Sequence, residues 1–169
     1  MPEARTLKKA KEDKRAGKSA STQAGEFVKE QIDKVRAGKH GVRSSKQAVA
    51  IGLSEARRAG VKLDPPAKKA SKPSTRNHAE KDLEAGKAPR KAPSKTRSKA
   101  TKAALKREST EGASAKALSS QAKKAASKRS STDRSAAAKK AAETKGAAGR
   151  SAAAKKAAET RAKNRKAAA

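Results

Sequence analysis

Residues 41–63 read GVRSSKQAVAIGLSEARRAGVKL. This stretch holds Val49, Ile51 and Leu53 close together, with Val61 just after. Basic residues bracket them: Arg43 and Lys46 before, Arg57, Arg58 and Lys62 after. Ser44 followed three residues later by Gln47 has the form of a capping box. Arg58-Ala59-Gly60 has the form of a helix end, with a cation near the carbonyl pole and glycine where a left-handed cap costs least. The spacing predicts a helix over about 45–59, with Ala48, Val49, Gly52, Leu53, Ala56 and Ala59 on an arc of about 140°. Ala48, Gly52 and Ala56 form a row of small residues that lets a second helix come close. Gly52 costs about 1 kcal/mol of helix propensity, a cost that fits a packed face.

The same punctuation occurs twice upstream. Arg15-Ala16-Gly17, Arg36-Ala37-Gly38 and Arg58-Ala59-Gly60 recur at spacings of 21 and 22. They predict two further helices, about 4–16 and 22–37. The first has one large apolar residue, Leu7. The second is amphipathic, with Ala24, Phe27, Val28, Gln31, Ile32 and Val35 on one arc and Glu26, Lys29, Glu30, Asp33, Lys34 and Arg36 opposite. Phe27 or Ile32 supplies the knob for the small-residue row. Helices two and three then form a hairpin across residues 38–43, closed at its ends by Val42 and Val61. The expected fold class is mainly α, with a small helical module over 1–63 made of this hairpin and a weak first helix.

Beyond residue 63 the composition changes. Phe, Ile, Leu and Val number 14, and only Leu83, Leu105 and Leu118 lie past that point. With 37% charged residues and a net charge of +30, such apolar poverty is the signature of disorder. Asp64-Pro65-Pro66 is expected to end the structure. Residues 64–96, with five prolines, are expected to be an extended linker with one short helical turn around 79–85. Residues 97–169 have no proline and are low in complexity, and they are expected to be disordered or conditionally helical. The eleven residues RSAAAKKAAET at 134–144 recur at 150–160, carrying Lys139/Lys140 and Lys155/Lys156 with them.

The charge bears most directly on function. Residues 1–63 hold 16 Lys and Arg against 7 Asp and Glu, and residues 64–169 hold 30 against 9. Thirty charges match the phosphates along roughly 50 Å of duplex, about 15 base pairs. The Pro-Ala-Lys-Lys of 66–69, the Ala-Pro-Arg-Lys of 88–91 and the Lys/Ala repeats resemble, in composition, the C-terminal tails of linker histones and bacterial histone-like proteins. That resemblance implies sequence-independent binding and compaction of DNA. Residues 38–41 and 45–60 resemble the core of a family of small basic bacterial proteins of unassigned function, a match extending over about 15–63. It implies a helical module and brings no chemistry.

The expected function is therefore a histone-like, non-enzymatic DNA-binding protein of a bacterial nucleoid, acting in the cytoplasm on duplex DNA through phosphate contacts. The residues expected to carry it are Arg43, Lys46, Arg57, Arg58, Lys62, Lys68, Lys69, Arg90, Lys91, Lys139, Lys140, Lys155 and Lys156. An RNA- or ribosome-associated role competes with this reading. So does a helical protein-interaction module tethered to polyanion by its tail. A homodimer through the module is a further expectation.

No cofactor or metal is expected. There is no cysteine, and His40 and His78 stand alone as loop residues. The glycines read as caps and contacts, not as a phosphate cradle. A single aromatic, Phe27, argues against stacking on single strands. No apolar run approaches a membrane span, and basic stretches without an apolar face do not suit a membrane surface.

Overall fold

The computed structural model describes residues 2–68, 71–88 and 94–167. These form α1 (Ala4–Arg15), α2 (Ala20–Arg36), α3 (Ser45–Arg58), α4 (Pro73–Lys87), α5 (Lys95–Lys106), a 3-10 turn η1 (Glu111–Ala113), α6 (Ala115–Ser127) and α7 (Ser131–Ala167). No strand occurs among the described residues. The chain divides into two units, Met1–Gln121 and Ala122–Ala169.

The three Arg-Ala-Gly signals each end a helix in the same way. Gly17, Gly38 and Gly60 have φ of 69°, 69° and 89°, the left-handed region where a side chain is strained. Each glycine N–H donates to the carbonyl three residues back, and the next N–H donates to the one five back. The pairs are Gly17 to Lys14 with Lys18 to Asp13, Gly38 to Val35 with Lys39 to Lys34, and Gly60 to Arg57 with Val61 to Ala56. This is the Schellman pattern. At the third end Val61 and Ala56 also share a core cluster.

The hairpin of α2 and α3 is present, and its small-residue row is divided among three partners. Ala56 packs with Phe27, Ala24, Ala10 and Val61. Ala48 packs with Val35, Val42 and Ala113, flanked by Ile32 and Ile51. Between them, a Cβ on Gly52 would lie 2.6 Å from the Val28 Cα and 2.8 Å from its N. The knob at Gly52 is therefore the α2 backbone itself, not Phe27 or Ile32. Phe27 is fully buried, which is worth about 1.5–3 kcal/mol. Val42 and Val61 are both buried and close the two clusters. Val49 is only half-buried, whereas Ile51 joins the second cluster.

Ser44 accepts from Gln47 N, but the Gln47 side chain reaches one residue further than a capping box requires and accepts from Arg43 N at 2.8 Å. Glu30, expected on the polar face of α2, is buried because α1 covers that flank. It accepts from the Glu3 N–H at 3.1 Å and pairs with Lys34.

Within 64–96 the described residues are helical over far more than the one short turn expected around 79–85. Two guanidiniums hold the chain after α3: Arg57 donates to the Leu63 and Asp64 carbonyls, and Arg76 to that of Pro66. The 15-residue α4 then packs on α3. It buries Ala79 and Asp82, and Gly86 comes so near that a Cβ would collide with the Arg57 carbonyl. The chain packs again further on. Gly41 N donates to Leu105 O at 2.9 Å, Val42 N to Ser109 O at 2.8 Å, and Arg36 Nε to Ala113 O at 2.9 Å. The packed unit thus runs well past residue 63, because close backbone approaches at small residues replace the missing large aliphatics.

The second unit is helical, which favours the helical side of the disordered-or-conditionally-helical expectation over disorder. α7 starts at a Ser130 cap, whose Oγ accepts from Asp133 N at 3.1 Å. It breaks at Gly146, with φ 64° and ψ 175°, and Arg150 spans the break by donating to Ala142 O at 2.7 Å. Alanine, lysine and glutamate are strong helix formers, and with the cap they account for helix here without a core. None of the residues 122–165 is buried.

Candidate nucleic-acid interface

A phosphate needs a cation that is exposed and not already held by a carboxylate, and the expected binding residues differ in this respect. Lys46, Lys62 and Lys68 are exposed, and no acid pairs with them among the described residues. Arg43 is exposed and reaches Glu108 at 3.3 Å. Arg58 is 63% exposed at its side chain and pairs with Asp82 at 2.6 Å. Arg57 differs from the others. It is 7% exposed, and its guanidinium is occupied by the Leu63 and Asp64 carbonyls. Burial pulls its pKa below the ordinary arginine value, with the Asp82 charge acting against that. Arg57 fixes the exit from α3, with Nε and Nη2 of its guanidinium already engaged. Lys69, Arg90 and Lys91 lie outside the described residues.

Acids consume much of the charge in the first unit. Between α1 and α2, Lys9 meets Glu26 at 3.0 Å, and Lys34 and Lys39 approach Glu3 at 3.9 and 3.7 Å. A groove of about 280 Å³ lies along this seam, and Glu3, Glu26, Glu30 and Asp33 on its wall are all held by lysines. Lys18 has its pKa raised by a hydrogen bond to Asp13 and by that residue's charge.

A polar chain crosses the hairpin. Gln31 Nε2 donates to Glu55 at 2.7 Å, and His40 Nε2 lies 3.2 Å from Gln31 Oε1. Burial raises the Glu55 pKa, while the Gln31 hydrogen bond opposes the shift. His40 sits in the connector as expected, whereas His78 is an exposed residue of α4. No group of three or more potential metal ligands occurs among the described residues. No helix among them is long and apolar enough to cross a membrane.

In the second unit Lys139, Lys140, Lys155 and Lys156 are all exposed. At about 100° per residue, Glu143 falls between Lys139 and Lys140, and Glu159 between Lys155 and Lys156. Arg134 and Lys145 lie on the opposite side of the first arm, and Arg161 and Arg165 on the opposite side of the second. All four are exposed, and no acid shares their side.

The residue-by-residue reading also missed a set of cations on α5. Lys95, Lys99, Lys102 and Lys106 are exposed, and none has an ion-pair partner among the described residues. One signal was available: the 23 residues between Glu84 and Glu108 contain no acid.

Comparison with known proteins locates one part of the chain. No curated protein and no solved structure matches it. Nothing matches the Lys/Ala-rich tail, so its likeness to histone tails is one of composition. Residues 11–69, which hold the last turn of α1, all of α2 and α3 and the segment that Arg57 ties down, match the model of DUF6496, a family of unknown function.

Proposed function

We propose that the protein is a non-enzymatic, histone-like protein that binds duplex DNA with little sequence preference, neutralising and compacting it in a nucleoid. One observation carries this reading. Residues 122–169 hold 15 Lys and Arg against 3 Asp and Glu, no residue in 122–165 is buried, and no ion pair forms there among the described residues. Like charges gathered without a core repel one another, and a polyanion relieves that repulsion. A chain contacting many phosphates releases their counterions, so affinity falls steeply with salt. The short side chains of alanine and serine between the cations offer little for base readout, which needs well-placed Arg, Asn or Gln.

The test is a titration of the full chain with mixed-sequence duplex at several salt concentrations. A slope of log K against log salt of about −6 or steeper, unchanged between duplexes of different sequence, is expected. A flat dependence overturns the reading. Structured RNA that displaces duplex at lower concentration replaces DNA with RNA as the partner.

A further inference from the structure

We propose that α5 is the phosphate-binding strip of the packed unit, through Lys95, Lys99, Lys102 and Lys106. This rests on the polyanion reading above and names the surface that serves it. The four lysines stand at i, i+4, i+7 and i+11, so at about 100° per residue they fall within an arc of about 60°. All four are exposed, and α5 carries no acidic residue. At 1.5 Å per residue the row spans about 16 Å, the axial length over which one strand of a duplex presents about five phosphates. Ala103, Ala104 and Thr101 lie to the sides and back of the row, so no bulky group hinders contact along it.

The helix bears costs that its own contacts do not offset. Like charges at i,i+3 and i,i+4 repel, and here two i,i+4 steps and one i,i+3 step lie in one line. Lys95 and Arg97 occupy the first turn, where the helix dipole disfavours cations. Ser94 precedes them without a side-chain cap, and no residue of α5 is buried. Its position is set at one end, where Gly41 N donates to the Leu105 carbonyl at 2.9 Å. A row of phosphates along the lysines removes the repulsion. The contrast with α7 is direct, since Lys139, Lys140, Lys155 and Lys156 are as numerous but have Glu143 and Glu159 set among them.

Two variants of the full chain that lose equal charge test the proposal. One carries Lys95, Lys99, Lys102 and Lys106→Gln. The other carries Lys139, Lys140, Lys155 and Lys156→Gln. Glutamine and lysine have similar helix propensity, and circular dichroism checks that helix is retained. The α5 variant is expected to reduce the salt slope for duplex binding by about 3 to 4, the loss of four phosphate contacts. The α7 variant is expected to reduce it by half that or less. Equal reductions, or a larger one for the α7 variant, overturn the assignment to α5 while leaving duplex binding intact. A flat salt dependence in the unsubstituted chain overturns the duplex reading and this one with it.

Discussion

Both units of the chain are strongly basic, but their charges are not equally available. Residues 1–121 hold 31 Lys and Arg against 13 Asp and Glu, and residues 122–169 hold 15 against 3. In the first unit eight acids are engaged in ion pairs: Glu3, Asp13, Glu26, Glu30, Asp33, Glu80, Asp82 and Glu108. Arg36 and Arg57 are also engaged, holding carbonyls. In the second unit Asp133 takes part in capping α7, and Glu143 and Glu159 pair with nothing among the described residues. Net charge therefore overstates what the packed unit offers a polyanion and describes the second unit fairly. A packed fold uses many of its cations to satisfy carbonyls and carboxylates, and a helix without a core leaves most of them free, with Arg150 on the Ala142 carbonyl as an exception.

The largest effect that bears on this contrast comes from the core. Phe27→Ala should cost about 3–5 kcal/mol, a large share of the stability of so small a unit. Amide exchange should then show α1 to α4 losing protection while residues 131–165 exchange as before. A simultaneous change in α7 would show that its helix depends on the packed unit. The next effect tests availability. Asp82→Asn removes the charge that holds Arg58; since Asp82 is buried while Arg58 is largely exposed, it should cost about 1 kcal/mol. It should also free one cation and steepen the salt slope for duplex binding by about 0.9. An unchanged slope would mean that the pair does not limit Arg58.

The smallest effect concerns pH. Burial alone would raise the Glu30 pKa, but hydrogen bonds from Lys34, Thr6 and the Glu3 N–H, together with the Lys34 charge, bring it below the ordinary value. A depressed carboxylate stabilises the fold above its unfolded pKa, and that stability is lost as pH falls through the folded one. Glu55 is shifted the other way, so it favours the fold at low pH and ceases to do so as pH rises past the ordinary glutamate range. Glu30→Gln should remove the acid-side loss and Glu55→Gln the loss on the other side, both read from thermal melts across pH. Melts that keep the same pH dependence in both variants would place the titrating groups elsewhere.

The parts of this fold that were legible in the sequence are those with local causes. Arg-Ala-Gly repeated three times is a helix end written in three residues, and Ala48, Gly52 and Ala56 announce a close helix pair. The rest depends on partners far along the chain. Gly41 is tight against Glu108, and Gly112 would bring a Cβ to 2.8 Å from Val42 Cγ2. Such contacts use glycine and carbonyl oxygen, which leave no hydrophobic period. Ala79 and Ala113 fill buried positions in a segment where alanine is too common to stand out. Arg57 and Arg58 are neighbours in sequence and equally basic. Only the path of residues 63 and 64 decides that the first is buried and the second exposed. Among the candidate binding residues, the exposed lysines were legible as charge. The acids that qualify them became visible once helical register was fixed.

The break at Gly146 has a consequence for how the last helix responds. Helix growth is cooperative only along an unbroken ladder, and arms of about 15 to 20 residues sit near the limit at which an isolated helix persists in water. A glycine outside helical geometry makes the two arms separate cooperative units, each of which must nucleate for itself. Melting, proteolytic trimming or neutralisation of one arm then leaves the other as it was. The C-terminal region can therefore respond in two steps, one arm at a time, where a continuous helix of the same composition would switch as a whole.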